Sequence, residues 1–208
     1  MTSSVEIDKL SLEDTPKTVL HSAQDFTVVH PLSHEWTLWY TKPPSHPDED
    51  WSTLLKELVT VNTVEEFWGA YKAVPKVVEL PFKSDFSLFK KGIRPEWEDP
   101  ANARGGKWIY VSRQMRPDID EKWLNVMLAA IGGTLDCDDE GKELVNGIFV
   151  MCRKGAVKIA MWVTGSHEAT RDVALRFKEA LGLADKPNAI EYHVHDEART
   201  KSKSAITL

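Results

Sequence analysis

The sequence predicts an α+β fold, an antiparallel sheet with helices gathered on one face and the other face left to hold a ligand. Three observations lead there. Aromatic and β-branched runs of strand length recur along the chain, two of them joined by a hairpin turn. Three helical segments with start and stop signals interrupt them at intervals. The best-defined strand alternates at period two, with Val157, Ile159 and Met161 on one face and Lys158, Ala160 and Trp162 on the other.

Each element has a local reason. Residues 1–29 are rich in Ser, Thr, Asp, Glu and Lys with single scattered hydrophobes, so they read as a flexible arm ahead of one domain over 30–208. Trp36-Thr-Leu-Trp-Tyr40 is the first strand, halted by Lys42-Pro-Pro44 and a polar loop after which Trp51 stands. Thr63-Val-Glu-Glu66 has the spacing of a capping box, which starts a helix running to about Ala73, before Pro75. Ser87 to Lys90 is a short strand, 91–106 a long loop, and Lys107 to Ser112 another strand. Asp118 caps a second helix that runs through Ile131 and stops at Gly132-Gly133. Val145 to Arg153 and Val157 to Thr164 form the hairpin across Lys154-Gly-Ala156. A third helix spans Glu168 to Leu181, with Val173, Phe177 and Leu181 at i, i+4 and i+8, and Ile190 to Val194 is the last strand before a polar tail.

Composition narrows the function. With 208 residues the chain is long enough for one substantial core. A formal charge of -6 excludes a protein that coats nucleic acid electrostatically, so any nucleotide contact is local. Two cysteines, Cys137 and Cys152, are too few for a disulfide framework, and no apolar run is long enough for a signal peptide or a membrane span. The expectation is a soluble intracellular protein, cytoplasmic or also nuclear, with no membrane partner. No Walker loop, dinucleotide fingerprint, nucleophile elbow or zinc spacing occurs, so neither cofactor nor catalysis is expected. The acidic run Asp136 to Gly141 lacks the last ligand of a calcium loop and reads as a solvated turn; His193 and His195 read as solvated histidines.

Eight tryptophans are the densest signal. Trp97 sits in Arg94-Pro-Glu-Trp-Glu-Asp-Pro100, where proline on both flanks excludes helix and central strand. An indole on a loop beside acids can stack on a flat cation while a carboxylate accepts its hydrogens, and that chemistry suits a purine base. Glu98 is the nearest acid and Trp51, at another loop edge, a second plate. Arg153 and Lys158 lie across the hairpin, near enough to grip phosphates together, with Lys107 a third cation. On the first helix Val64, Trp68 and Tyr71 at i, i+4 and i+7 are joined by Phe67 and Ala70, more apolar surface than one buried face needs, and Leu124 lines a side of the second helix.

Residues 28–208 resemble eukaryotic translation initiation factor 4E, the family that binds the 7-methylguanosine cap of messenger RNA. The resemblance rests on His30-Pro-Leu32, Trp36-Thr-Leu-Trp-Tyr40, Thr63-Val-Glu-Glu-Phe-Trp68, Arg94-Pro-Glu-Trp-Glu-Asp99, Arg104-Gly-Gly-Lys-Trp108 and Lys158-Ile-Ala-Met-Trp162, with details of a fungal member. It implies a curved eight-stranded antiparallel sheet with three helices on the convex face and the ligand in the concave face. It also implies that Trp51 and Trp97 sandwich the base, Glu98 reads its edge, Trp162 touches the N7 methyl, and Arg153, Lys158 and Lys107 hold the phosphates. Lys107 stands where many members carry Arg, which keeps the charge and loses the fork. His30, Pro31, Val64, Trp68 and Leu124 would receive the initiation factor 4G scaffold and competing 4E-binding repressor proteins. A cap or nucleotide hydrolase, a purely protein-binding module and a nonproductive cap-binding repressor are the competing readings.

Overall fold

The computed structural model describes residues 29–46, 48–113, 118–136, 141–195 and 206–208; the arm expected over 1–29 lies outside them save for Val29, as does the indole of Trp51. Among the described residues, eight strands make one curved antiparallel sheet: β1 (Pro31–Thr41), β2 (Leu55–Thr63), β3 (Asp85–Lys90), β4 (Gly106–Ser112), β5 (Val145–Arg153), β6 (Ala156–Val163), β7 (Ile190–Val194) and β8 (Ile206–Thr207). Their order across the sheet is β2-β1-β3-β5-β6-β4-β7-β8. The helices are α1 (Trp51–Leu54), α2 (Val64–Ala73), α3 (Ile119–Ile131) and α4 (Arg171–Ala180).

Alternation along the strands divides the sheet into two unlike faces. Leu38, Phe86, Leu88, Ile148, Val157, Ile159 and Met161 point to the convex side, where Phe67 of α2, Trp123 and Met127 of α3, and Val173 and Phe177 of α4 cover them in one core. Each such side chain contributes about 1.5 to 3 kcal/mol by leaving water. Phe89, Ile109, Phe149, Ala160 and Trp162 form a second, smaller cluster on the concave side, which no long helix covers among the described residues.

Glycine is required at two sites in this arrangement. A Cβ on Gly147 would lie 2.3 Å from the Phe89 ring, so the aromatic cluster closes only over a bare backbone. Gly155 takes φ +77° in the β5–β6 turn, the left-handed region that hairpin turns favour.

The caps differ in detail from expectation. Thr63 accepts from the Glu66 amide at 3.1 Å, while the Glu66 carboxylate reaches back to the amide of Asn62 at 2.8 Å instead of Thr63. Asp118 occupies the N-cap of α3 without a side-chain capping bond. The third helix begins at Arg171, a turn later than expected. β2, β8 and the single-turn α1 have no counterpart among the elements read from the residues, although the resemblance implied eight strands. β2 reads as Leu-Lys-Glu-Leu-Val-Thr-Val-Asn-Thr, and a register shift against β1 between Leu38 and Trp39 breaks its alternation. β8 is two residues long and held by β7.

Two solvated readings are corrected. In the acidic run, 137–140 lie outside the described residues and Gly141 is exposed, but Asp136 is 4% exposed because it accepts the Val145 amide at 3.1 Å and pairs with Lys90 at 2.5 Å. His195 is 2% exposed because its ring lies against Trp162, with centroids 4.1 Å apart.

Candidate functional site

The concave face carries an open cleft of about 470 Å³. Its floor is Phe149, Met151 and Trp162 of the sheet, and its walls come from the 95–98 loop, from Asp50 and Ser52 at the start of α1, and from Asp85 and Arg153. By contrast, the apolar crevice between α2 and α3, lined by Phe67, Tyr71, Trp123 and Met127, holds about 20 Å³, room for little more than one water. The concave cleft is the site that fits a heterocycle.

Trp97 lines the cleft as expected, half-buried and packed against the Phe89, Phe149 and Trp162 cluster. Its loop is held from beneath by asparagines that the sequence reading did not select. The Asn102 amide, fully buried, donates to the carbonyls of Arg94 (2.9 Å) and Glu96 (2.8 Å). Asn146, at the irregularity in β5, donates in turn to Asn102 (3.0 Å) and to the Ala101 carbonyl (2.8 Å). Asp99 accepts the amides of Arg94 and Ala101, both at 2.9 Å. A loop pinned at this many backbone groups presents its indole in a fixed place.

Acids outnumber bases in the cleft lining: Asp50, Asp85, Glu96 and Glu98 against Arg153. Three of the four are committed. Asp50 accepts the Ser52 amide at 3.0 Å as the cap of α1, Glu96 pairs with Arg94 at 2.7 Å, and Asp85 pairs with Arg153. Glu98 is exposed and, among the described residues, forms no hydrogen bond or ion pair, so both its oxygens can accept from a ligand. Arg94 itself is turned away, its guanidinium 5.5 Å above the Trp39 ring.

The other cations flank the cleft instead of lining it. Lys107 of β4 lies beside Trp162, its Nζ 5.7 Å from the ring centroid, and burial together with the charge of Lys158 pulls its ammonium below the usual lysine range. Two cations that raise each other's energy favour an anion between them. Arg153 is pushed up by its bonds to Asp85 and stays charged throughout the working range. His195, behind Trp162, is pulled down to about 3 by burial and by Lys107, so it is a neutral ring at physiological pH.

Trp51 opens α1 between the lining residues Asp50 and Ser52, and its side chain is outside the described atoms. On the convex side, Phe67 is the anchor of α2, 3% exposed, whereas Val64, Trp68 and Tyr71 are half-buried and leave part of their surface free; Leu124 of α3 is likewise half-buried. Pro31 begins β1 and is exposed, as is His30 before it.

A metal is not favoured by what is described. His34, Asp136 and Glu143 bring ligand atoms within 4.8 Å of one another, but the Lys90 ammonium already sits on both carboxylates, at 2.5 and 2.9 Å.

The profile of the family described as Eukaryotic initiation factor 4E matches residues 31–207, the whole sheet and its helices. The chain belongs to that family. Eukaryotic translation initiation factor 4E-2 of Schizosaccharomyces pombe is 51% identical over 175 residues, spanning 83% of this chain and 70% of that protein. The Saccharomyces cerevisiae factor 4E is 43% identical, spanning 97% and 95%. Ascaris suum eIF4E-3, solved in complex with an m7G cap, superposes with a TM-score of 0.74 at 32% identity, covering 86% of this chain and 98% of that one. C. elegans eIF4E-3, solved with the 4E-binding protein Mextli and a cap analog, gives 0.73 at 31%, covering 86% and 100%. This factor 4E family member is thus fungal-like in sequence, and its fold is that of cap-bound relatives.

Proposed function

We propose that this protein binds the 7-methylguanosine cap of messenger RNA in the concave cleft and joins it to the initiation factor 4G scaffold, acting in the cytoplasm as an adaptor without catalysis of its own. The observation that carries the reading is Glu98: an uncommitted carboxylate next to a pinned indole, in a cleft with an aromatic floor and Arg153 in its lining. Trp97 stacks on the base with Trp51 as the second plate, Glu98 accepts from the guanine N1 and N2 groups, and Trp162 meets the N7 methyl. Arg153, Lys158 and Lys107 hold the phosphates. On the convex side His30, Pro31, Val64, Trp68 and Leu124 take the scaffold or a 4E-binding repressor; a relative solved with the 4E-binding protein Mextli supports that partner class.

Methylation at N7 leaves guanine with a delocalised positive charge, so stacking on electron-rich indole gains a cation–π attraction that unmethylated guanine lacks. Stacking is worth about 1 to 3 kcal/mol per face, and charge-assisted bonds about 1.5 to 3 each, enough for micromolar binding after association entropy. Three cationic contacts give a shallow dependence on salt. Titrating the intrinsic fluorescence with 7-methyl-GTP and then GTP tests the reading: quenching by the methylated nucleotide and none by GTP at the same concentration is expected. Equal responses to both would end it.

A further inference from the structure

The cleft contains a buried carboxylate to which the roles above give no task. Asp85 opens β3 on the concave face, is 5% exposed, and meets the Arg153 guanidinium with both oxygens: Nη1 donates to Oδ1, and Nη2 donates to Oδ2 at 3.0 Å. Nη1 donates its other hydrogen to the Cys152 carbonyl at 3.0 Å. Burial pushes the Asp85 carboxyl up, and the two bonds from Arg153 oppose that push.

A guanidinium carries five N–H donors in one rigid plane. Asp85 and the Cys152 carbonyl take three of them, all from Nη1 and the end of the fork. The two that remain are Nε–H and the second Nη2–H. They run parallel along one side of the plane, spaced to meet two oxygens of a single phosphoryl group. The Arg153 side chain is 39% exposed and lines the cleft, so part of the guanidinium is accessible to a ligand.

Resting on the cap-binding reading, we infer that Asp85 is a positioning residue for the phosphate grip: it clamps the end of the Arg153 guanidinium and presents the Nε/Nη2 edge to one phosphate of the ligand. Two effects of opposite sign meet here. The Asp85 charge repels a phosphate, which alone would make its removal favourable. That repulsion acts across the whole width of a guanidinium whose charge it already balances, whereas the clamp acts at contact distance on both donors. Without it, a long side chain with many rotamers must be ordered again each time ligand binds. An asparagine at 85 supplies one acceptor where two are needed and turns an N–H toward the other guanidinium donor. The clamp therefore outweighs the repulsion.

The test compares 7-methylguanosine as the free nucleoside with its 5′-triphosphate, by fluorescence titration of the wild type, Asp85→Asn, Arg153→Lys and the double variant. Asp85→Asn should weaken the triphosphate about tenfold, as expected for losing the alignment of a charge-assisted pair, and leave the nucleoside within about twofold. On the Arg153→Lys background it should change nothing further, because the fork it aligns is gone. Unchanged or tighter triphosphate binding by Asp85→Asn overturns the inference, as does equal loss of nucleoside and triphosphate, or additive losses in the double variant. Should Asp85→Asn not fold, Asp85→Glu keeps the charge and displaces it by one methylene; it must still weaken the triphosphate selectively. Failure of the cap-binding reading looks different: the wild type would then not separate 7-methylguanosine from guanosine, with no phosphate involved.

Discussion

The two faces of one sheet are built from the same strands and finished in opposite ways. On the convex side Trp108 Nε1 donates to Thr170 Oγ1 at 3.0 Å and Tyr192 donates to the Gly165 carbonyl at 2.6 Å, while Trp36 Nε1 is buried without a partner among the described residues. On the concave side Trp39 Nε1, Thr41 Oγ1, Ser87 Oγ and His195 Nε2 are buried with no partner among the described residues. Trp39 and Ser87 are neighbours in the β1–β3 register, as are Thr41 and Asp85. An unpaired buried polar group costs about 1 to 3 kcal/mol, so the four on the concave face are a cost that apolar burial in the convex core offsets. One residue of shift in a strand would exchange the two sets, which is why register carries both stability and function.

Paired truncations test that division most severely. Phe177→Ala, in the convex core, should cost about 3 to 5 kcal/mol by cavity formation and lower cap affinity only as far as the folded fraction falls. Trp97→Ala should cost at least tenfold in affinity for 7-methyl-GTP, about 1.4 kcal/mol, with little change in the melting temperature. Chemical denaturation alongside cap titration of each variant reads both axes. If Trp97→Ala unfolds the protein, the indole is a structural element and the comparison fails at its central residue.

Within the cleft, neighbouring acids should behave differently. Glu98→Gln should weaken 7-methyl-GTP binding because an amide brings one acceptor and an unwanted donor to a base edge that offers two hydrogens. Asp99→Asn should act instead through the loop, since Asp99 holds the amides of Arg94 and Ala101, and its effect should show in stability before affinity. Matching affinity losses with matching stabilities would mean that Glu98 has no special place. On the other face, Trp68→Ala should keep retention on a cap resin and abolish capture of the initiation scaffold, because Phe67, not Trp68, anchors α2 in the core.

Much of this was legible in the residues. The β5–β6 hairpin and its two faces follow from period-two alternation, and the 91–106 loop from its prolines and glycines. Three helices were found because each begins or ends with a capping residue or glycine. The strands β2 and β8 were not legible: a bulge spoils the alternation of the first, and the second is too short to have any and exists only through its pairing with β7. The candidate cleft was legible where unusual residues stand in unusual places, since Trp97 and Glu98 both line it. Its supports were not. Asn102, Asn146 and Asp85 are ordinary polar residues until folding brings segments 44 to 68 positions apart into hydrogen-bond range, a property of topology with no local trace. His195 was misread for the same reason, since only the tertiary fold sets Trp162 against it.

His195 also supplies the mildest test, because a buried neutral histidine on the concave face makes stability depend on acid. Burial and Lys107 hold its folded value near 3, whereas an unfolded histidine titrates near 6.5. Between those limits the unfolded chain takes up a proton that the folded one refuses, so stability falls as pH falls through 6.5. From pH 7 to pH 5 the loss from this group is about 2 kcal/mol at most. His195→Phe keeps a flat ring against Trp162 and removes the proton site. The difference between the urea midpoints at pH 7 and pH 5 should therefore shrink in that variant by a corresponding amount. An unchanged difference would mean that His195 accepts its proton as readily in the fold as out of it, and the concave face would lose one of the buried costs that set it apart from the convex core.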